Sequence, residues 1–360
     1  MAPLVLALKR ANQFEVRVCV TGQHREMLDQ VLELFEIKPD FDLKVMTARQ
    51  SLSTLTGKII NAVSDILEHE FNPDIVLVHG DTTTSFAASM AAYYHKVKIG
   101  HVEAGLRSGN LYSPWPEEAN RSLIGVLADL NFCPTTLSEK NLLADGVSKE
   151  KICITGNTVI DSLKLGLEKI SNNQSKLDEL DSQFSFLNPT KKIVLVTGHR
   201  RENFGEGVKE ICKALQTLVE KRDDVQVVYP VHLNPMIKDP VNNLLGNIEN
   251  IHLIKPLDYL PFIYLMKRSY LVLTDSGGIQ EEAPALGKPV LVMRELTERL
   301  EALEAGTIKM VGTSSKYIVE AIDRLMDDES SYLEIANSKN PYGDGTASIK
   351  IINHLISYFK

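Results

Sequence analysis

The chain has 360 residues, 44% of them hydrophobic, with 39 basic and 47 acidic side chains for a net charge of −8. That length suits about two domains, and the apolar share can fill real cores, which excludes a disordered or fibrous chain. The acidic balance argues against general binding to nucleic acid or an anionic membrane, while leaving room for a local cationic site facing a phosphorylated small molecule. No stretch approaches the roughly 18 apolar residues that span a bilayer. The apolar opening from Met1 to Arg10 is too short and lacks the basic leader of a secretory signal, so a cytoplasmic protein is expected. Cys19, Cys133, Cys153 and Cys212 form no CxxC or Cys/His cluster and read as buried free thiols of a reducing compartment.

In chain order, the opening segment has the spacing of an amphipathic helix, and Glu15–Val20 reads as a first strand. Leu52, Leu55, Ile59, Val63 and Ile66 recur at three- and four-residue steps and predict one apolar stripe on a helix. Strands follow at Asp74–Val78 and Val97–Val102, with a helix near Thr84–Tyr94 between them. The polar run Ser171–Lys176 reads as a linker or loop, after which the pattern restarts with strands at Lys192–Thr197, Val225–Tyr229, Ile251–Ile254, Tyr270–Thr274 and Pro289–Met293. Short apolar strands alternating with helices predict parallel sheets covered on both faces. Two successive α/β domains are therefore expected, over 1–170 and 185–345, with a last helix at 346–360 returning to the first. Ligands of such sheets lie beyond the carboxyl ends of the strands, which places the expected site in a cleft between the domains.

Polar residues follow several strands at those ends. His79-Gly80-Asp81-Thr82-Thr83-Thr84 puts a carboxylate at a strand end, although Asp81 or a threonine would serve equally as a helix N-cap. His101-Val102-Glu103-Ala104-Gly105 repeats the arrangement, and Trp115-Pro116-Glu117-Glu118-Ala119-Asn120-Arg121 starts a helix where the dipole favours negative charge. Several carboxylates at one sheet edge suit proton transfer. In the second half, Gly198-His199-Arg200-Arg201 favours an anionic ligand, and Asp275-Ser276-Gly277-Gly278 is a small-residue turn at which a phosphate can approach the backbone. There is neither a GxxxxGK[ST] loop nor a GxGxxG fingerprint, so nucleotide hydrolysis has no support.

At these residues the chain resembles the non-hydrolysing UDP-N-acetylglucosamine 2-epimerases of bacteria and archaea. The segments Gly22–Phe35, HGDTTT, HVEAGLRSG, YSPWPEEANR, Gly156–Leu163, TGHRREN, Pro230–Pro235 and TDSGGIQEEAPALGKPVLVMR carry the resemblance, which covers nearly the whole sequence. It implies a glycosyltransferase-B-like fold of two Rossmann-like domains facing across a cleft. The implied reaction interconverts UDP-N-acetylglucosamine and UDP-N-acetylmannosamine. UDP leaves C1 as the C2 proton is removed, and the 2-acetamidoglucal-like intermediate then takes UDP back with a proton on the other face. By resemblance, Asp81, Glu103, Glu117 and His199 are catalytic. Arg121, Phe262 (at the uracil), Ser276, Gly277, Gly278, Glu282 (at the ribose) and Arg299 bind substrate, and Gln23, His24, Arg49, Arg200 and His232 bind a second UDP-N-acetylglucosamine as activator. The family needs no NAD or other cofactor and no metal, and its members, which supply surface polysaccharides, are commonly homodimers.

The sequence departs from the family pattern in four places. The family opens with a strand and a GTRPE-type loop, whereas this chain starts at what corresponds to the helix after it, so full activity is expected to need an upstream segment of roughly 15 residues. Leu300 replaces a proline that fixes the loop presenting Arg299, Leu296 replaces a hydroxyl residue, and Leu257 stands where many members have glutamine. Three rival readings remain at this point: a hydrolysing 2-epimerase releasing UDP and N-acetylmannosamine, a glycosyltransferase of the same architecture, and an inactive nucleotide-sugar sensor.

Overall fold

Strands apolar along their whole length need cover on both faces, and the helices between them supply it. The computed structural model describes every residue except 23, 24, 48 and 49, and every remaining side chain except those of 26, 27 and 201. The chain divides into two units, Met1–Ser162 with Tyr342–Lys360, and Leu163–Pro341. Both are α/β and Rossmann-like, and every strand pairing is parallel.

The first unit runs α1 (Ala2–Arg10), β1 (Cys19–Val20), α2 (Arg25–Leu34), β2 (Phe41–Asp42), α3 (Leu52–His69), β3 (Ile75–His79), α4 (Thr83–Tyr94), β4 (Lys98–Val102), α5 (Glu117–Leu127), β5 (Leu130–Cys133), α6 (Thr136–Ala144) and β6 (Ile152–Ile154). It ends within α7 (Thr158–Ser171). Its sheets are β3-β4-β5-β6 and the separate pair β1-β2. The strand expected over Glu15–Val20 shrinks to Cys19–Val20, because the Asp40 carboxylate takes the Val18 N–H at 2.8 Å where a neighbouring backbone would have continued the ladder. The stripe on α3 buries Leu55, Ile59, Val63 and Leu67, with Leu67 rather than Ile66 completing it, and Ser51 caps the helix by accepting the Thr54 N–H.

The second unit continues with α8 (Gln174–Gln183), β7 (Lys192–Thr197), α9 (Glu206–Lys221), β8 (Val225–Pro230), α10 (Pro235–Leu245), β9 (Ile251–Ile254), α11 (Tyr259–Arg268) and β10 (Leu271–Thr274). After these come α12 (Ile279–Glu282), β11 (Val290–Val292), α13 (Leu300–Glu304), β12 (Ile308–Met310), α14 (Ser315–Asp327) and α15 (Glu329–Ala336). Its sheet has the order β12-β11-β10-β7-β8-β9. The sequence therefore steps outward in one direction from β7 and in the other from β10, and the crevice at their shared carboxyl end is the topological switch point. Of the polar run Ser171–Lys176 only residues 172 and 173 form a loop: α7 reaches Ser171, and Asn173 caps α8 by accepting the Lys176 N–H at 3.1 Å.

The last helix, α16 (Ala347–Tyr358), belongs to the first unit, where Ile351, Ile352 and Leu355 join Leu4 and Leu8 of α1 and Val102, Leu130 and Phe132 of the sheet in one cluster. The four cysteines are free, but only Cys133 and Cys212 are buried; Cys153 is half-buried and Cys19 exposed, which corrects the expectation of four buried thiols. No described helix is long and apolar enough to cross a membrane.

Thr346 makes no side-chain cap on α16; instead Asp161 of α7 reaches its first turn, accepting the N–H groups of Ser348 at 2.8 Å and Ala347 at 3.2 Å. Replacing Asp161 by alanine leaves two buried donors unpaired and is expected to cost about 2–3 kcal/mol, read by urea denaturation.

Candidate active site

Strands β3 and β4 pair with His79 opposite Val102, so the segments leaving them emerge side by side. Gly80 and Glu103 both take left-handed backbone, φ +68° and +64°. Glycine adopts it freely, whereas glutamate does so at a cost of about 1–3 kcal/mol, the kind of strain that persists where surrounding structure enforces it. A Cβ on residue 80 would lie 3.1 Å from Glu103 Oε2, so the glutamate carboxylate rests against the Gly80 backbone. The Gly80 peptide is fixed on both sides, its N–H donated to Val102 O at 2.9 Å and its carbonyl 2.8 Å from His101 Nε2. Burial, with the charge of the Met1 amino group, lowers the pKa of His79 to about 3, and the neutral ring stands 3.9 Å from Glu103 Oε2.

Asp81 is not the helix cap; Thr82 is, accepting the Ser85 N–H. The Asp81 carboxylate instead receives Arg121 Nε at 2.8 Å, and its carbonyl receives Asn120 Nδ2 at 2.8 Å. Arg121 also donates from Nη1 to Glu118 Oε2 at 2.8 Å, and the other Glu118 oxygen accepts the backbone N–H groups of Ser108 and Gly109. The two adjacent glutamates thus differ: Glu118 is buried and locked, while Glu117 is half-buried at the first turn of α5 with no ion pair among the described residues.

In the second unit, His199 follows β7 and Asp275 follows β10, on either side of the switch point. Asp275 is 1% exposed and accepts the N–H groups of His199 and Arg200, both at 2.9 Å, and Asn203 Nδ2 at 3.1 Å. His199 Nδ1 lies 3.2 Å from it, which turns Nε2 away from Asp275. Burial works against the Asp275 charge, but the His199 ring and the backbone donors outweigh it and hold the carboxyl below its ordinary range. A Cβ added at Gly278 meets no protein atom within 4 Å, so the turn is open to an approaching group there, whereas one at Gly277 would lie 3.1 Å from Glu298 Oε1 and 3.5 Å from an Arg299 guanidinium nitrogen. Gly278 has φ −63°, so its value lies in the space it leaves rather than in a left-handed turn. The helix it starts, α12, has four residues.

Arg299 is held without the family's proline. Its Nε donates to buried Glu281 at 2.6 Å, and its N–H reaches Thr297, whose hydroxyl donates to Gln280 at 2.7 Å. Leu296 is 81% exposed, and Leu257 and Phe262 are half-buried. The exposed His232 ring lies 6.0 Å from that of His199. The remaining expected activator contacts, Gln23, His24 and Arg49, fall outside the described residues, as does the side chain of Arg201.

The sequence profile of the family described as UDP-N-acetylglucosamine 2-epimerase matches residues 6–356. The chain belongs to that family. The Salmonella typhimurium UDP-N-acetylglucosamine 2-epimerase is 55% identical over 99% of this chain and 95% of the relative, and that of Campylobacter jejuni is 54% identical over 99% and 94%. Among solved structures, UDP-GlcNAc 2-epimerase from Neisseria meningitidis bound to UDP-GlcNAc superposes with a TM-score of 0.91 at 51% identity, covering 99% of this chain and 96% of the other. The Methanocaldococcus jannaschii enzyme in complex with UDP-GlcNAc and UDP gives 0.79 at 30% identity, covering 99% and 95%.

Within this epimerase, sequence reasoning gave no role to Glu118, Asp275, Glu281 or Tyr259. Asp275 carried a signal, since it is the first residue after a strand. Glu118 and Glu281 are each half of an acidic pair whose locked member cannot be told from sequence, and Tyr259 meets Glu282 only through space.

Glu282 is 8% exposed, with the Tyr259 hydroxyl donating to it at 3.0 Å. Burial raises its pKa from 4.5 to about 7, the Tyr259 bond pulling the other way and Glu281 adding to the rise. The folded chain therefore keeps a proton that the unfolded chain gives up above pH 4.5, and stability falls as pH rises from about 4.5 to about 7, levelling off above that, where both states are ionised. Glu282→Gln is expected to melt above the wild type at pH 8, with the difference shrinking towards pH 5 in scanning calorimetry.

Proposed function

We propose that this chain interconverts UDP-N-acetylglucosamine and UDP-N-acetylmannosamine by eliminating UDP and adding it back. The observation carrying this reading is the pair of neighbouring strand ends from which Asp81 and Glu103 emerge, each carboxylate held by a fixed donor. Inversion at C2 requires a proton to leave one face and another to arrive on the opposite face, so one acid/base group is not enough. Asp81, Glu103 and Glu117 fill these roles, and Arg121 holds Asp81.

As the C2–H bond breaks, its electron pair forms the C1–C2 double bond and the C1–O bond electrons leave with UDP. His199 and the Ser276–Gly278 turn stabilise the departing diphosphate, with Phe262 at the uracil, Glu282 at the ribose and Arg299 at the anionic part of the nucleotide. Re-addition reverses these electron movements with protonation of the other face. The reading also comprises a homodimer in the cytoplasm and a second nucleotide-sugar site that includes Arg200 and His232, acting as an activator.

Product analysis tests the central step. The wild type is expected to convert UDP-N-acetylglucosamine to an equilibrium mixture of the two UDP-sugars, and Glu103→Gln to lower kcat by about 10²–10⁴-fold. Accumulation of free N-acetylmannosamine, or full activity in the variant, contradicts the proposal.

A further inference from the structure

Glu103 is set by its strained backbone, but its side chain still has rotatable bonds, and a proton-transfer group works only within a narrow range of positions. The Asn157 side chain supplies the missing constraint. It is 3% exposed and donates from Nδ2 to Glu103 Oε1 at 3.0 Å. Its own orientation is settled by a second contact: Oδ1 accepts the Val159 N–H at 3.2 Å, and only the oxygen can do so, which turns the NH₂ group towards Glu103.

The backbone beneath is equally fixed. The Asn157 N–H donates to Tyr342 O at 2.7 Å, and Gly156, at φ +87°, permits that approach, since a Cβ there would lie 3.0 Å from the same carbonyl. With Oε1 engaged, the oxygen lying against Gly80 is Oε2.

We propose that Asn157 is a positioning residue that holds Glu103 by Oε1 and thereby assigns Oε2 to exchange the proton at C2. This inference rests on the proposed epimerisation and on the role given to Glu103 there. A merely structural Asn157 would serve as the turn acceptor at the start of α7, a task that aspartate and serine also perform. Neither of those can donate to Glu103 from the same place: Asn157→Asp sets oxygen against oxygen, and Asn157→Ser is too short.

The experiment measures kcat and KM for UDP-N-acetylglucosamine in N157D, N157S, E103Q and the double variant N157D/E103Q, with thermal melting of each. Both single Asn157 variants are expected to lose about tenfold or more in kcat, with KM within about twofold of wild type and melting close to wild type. N157D is expected to add nothing to the residual rate of E103Q, because both changes act through one carboxylate. If the wild type epimerises and N157D and N157S keep its kcat, or if the N157D loss multiplies fully onto that of E103Q, the positioning role is overturned while the functional reading stands. A wild type that fails to epimerise overturns both.

Discussion

A carboxylate at the edge of a buried sheet keeps its charge only if fixed donors replace the water it gives up, and this requirement organises both units. Asp81 and Glu118 share the Arg121 guanidinium, Glu103 takes the amide of Asn157, Asp275 gathers two backbone N–H groups and an asparagine, and Glu281 holds Arg299. The same contacts that offset desolvation also set direction. Arg121 cannot move away from Asp81 without disturbing Glu118, and Asp275 cannot be removed without freeing the His199 loop. Within each unit, stability and pre-organisation come from one set of bonds.

The fold places these groups where its topology leaves room. In the second unit the sheet grows outward from β7 and β10, and the residues following those two strands are the ones with polar work to do: His199 on one side, Asp275 and the small-residue turn on the other. In the first unit the acidic groups follow β3 and β4, which are neighbours in register. A single strand end can present one side chain well. Two adjacent ends, each turned by a left-handed residue, present two.

Legibility in the sequence followed the physics of each element. Strands such as Lys192–Thr197, in which Ile193–Val196 are all buried, announce themselves because no polar residue interrupts them. Glu15–Val20 alternates polar and apolar residues as a strand would, yet forms only two ladder residues, since the Asp40 side chain takes the place of a strand neighbour, a competition invisible to local pattern. The polar run after α7 reads as a linker or loop until Asn173 is seen to cap the next helix, which leaves only two residues between the helices. At the site, the residue types expected to carry chemistry stood in recognisable motifs, but their holders did not. Asn157 is 54 residues from Glu103, and Tyr259 is 23 from Glu282, so only the fold discloses those pairings.

The central claim is that hydrogen at one sugar carbon is lost to these carboxylates and regained from solvent. Incubating the chain with UDP-N-acetylglucosamine in deuterium oxide and following C2 by NMR tests it most directly. Deuterium is expected to enter C2 of both UDP-sugars as fast as they interconvert. Interconversion with the original hydrogen retained at C2 would contradict it.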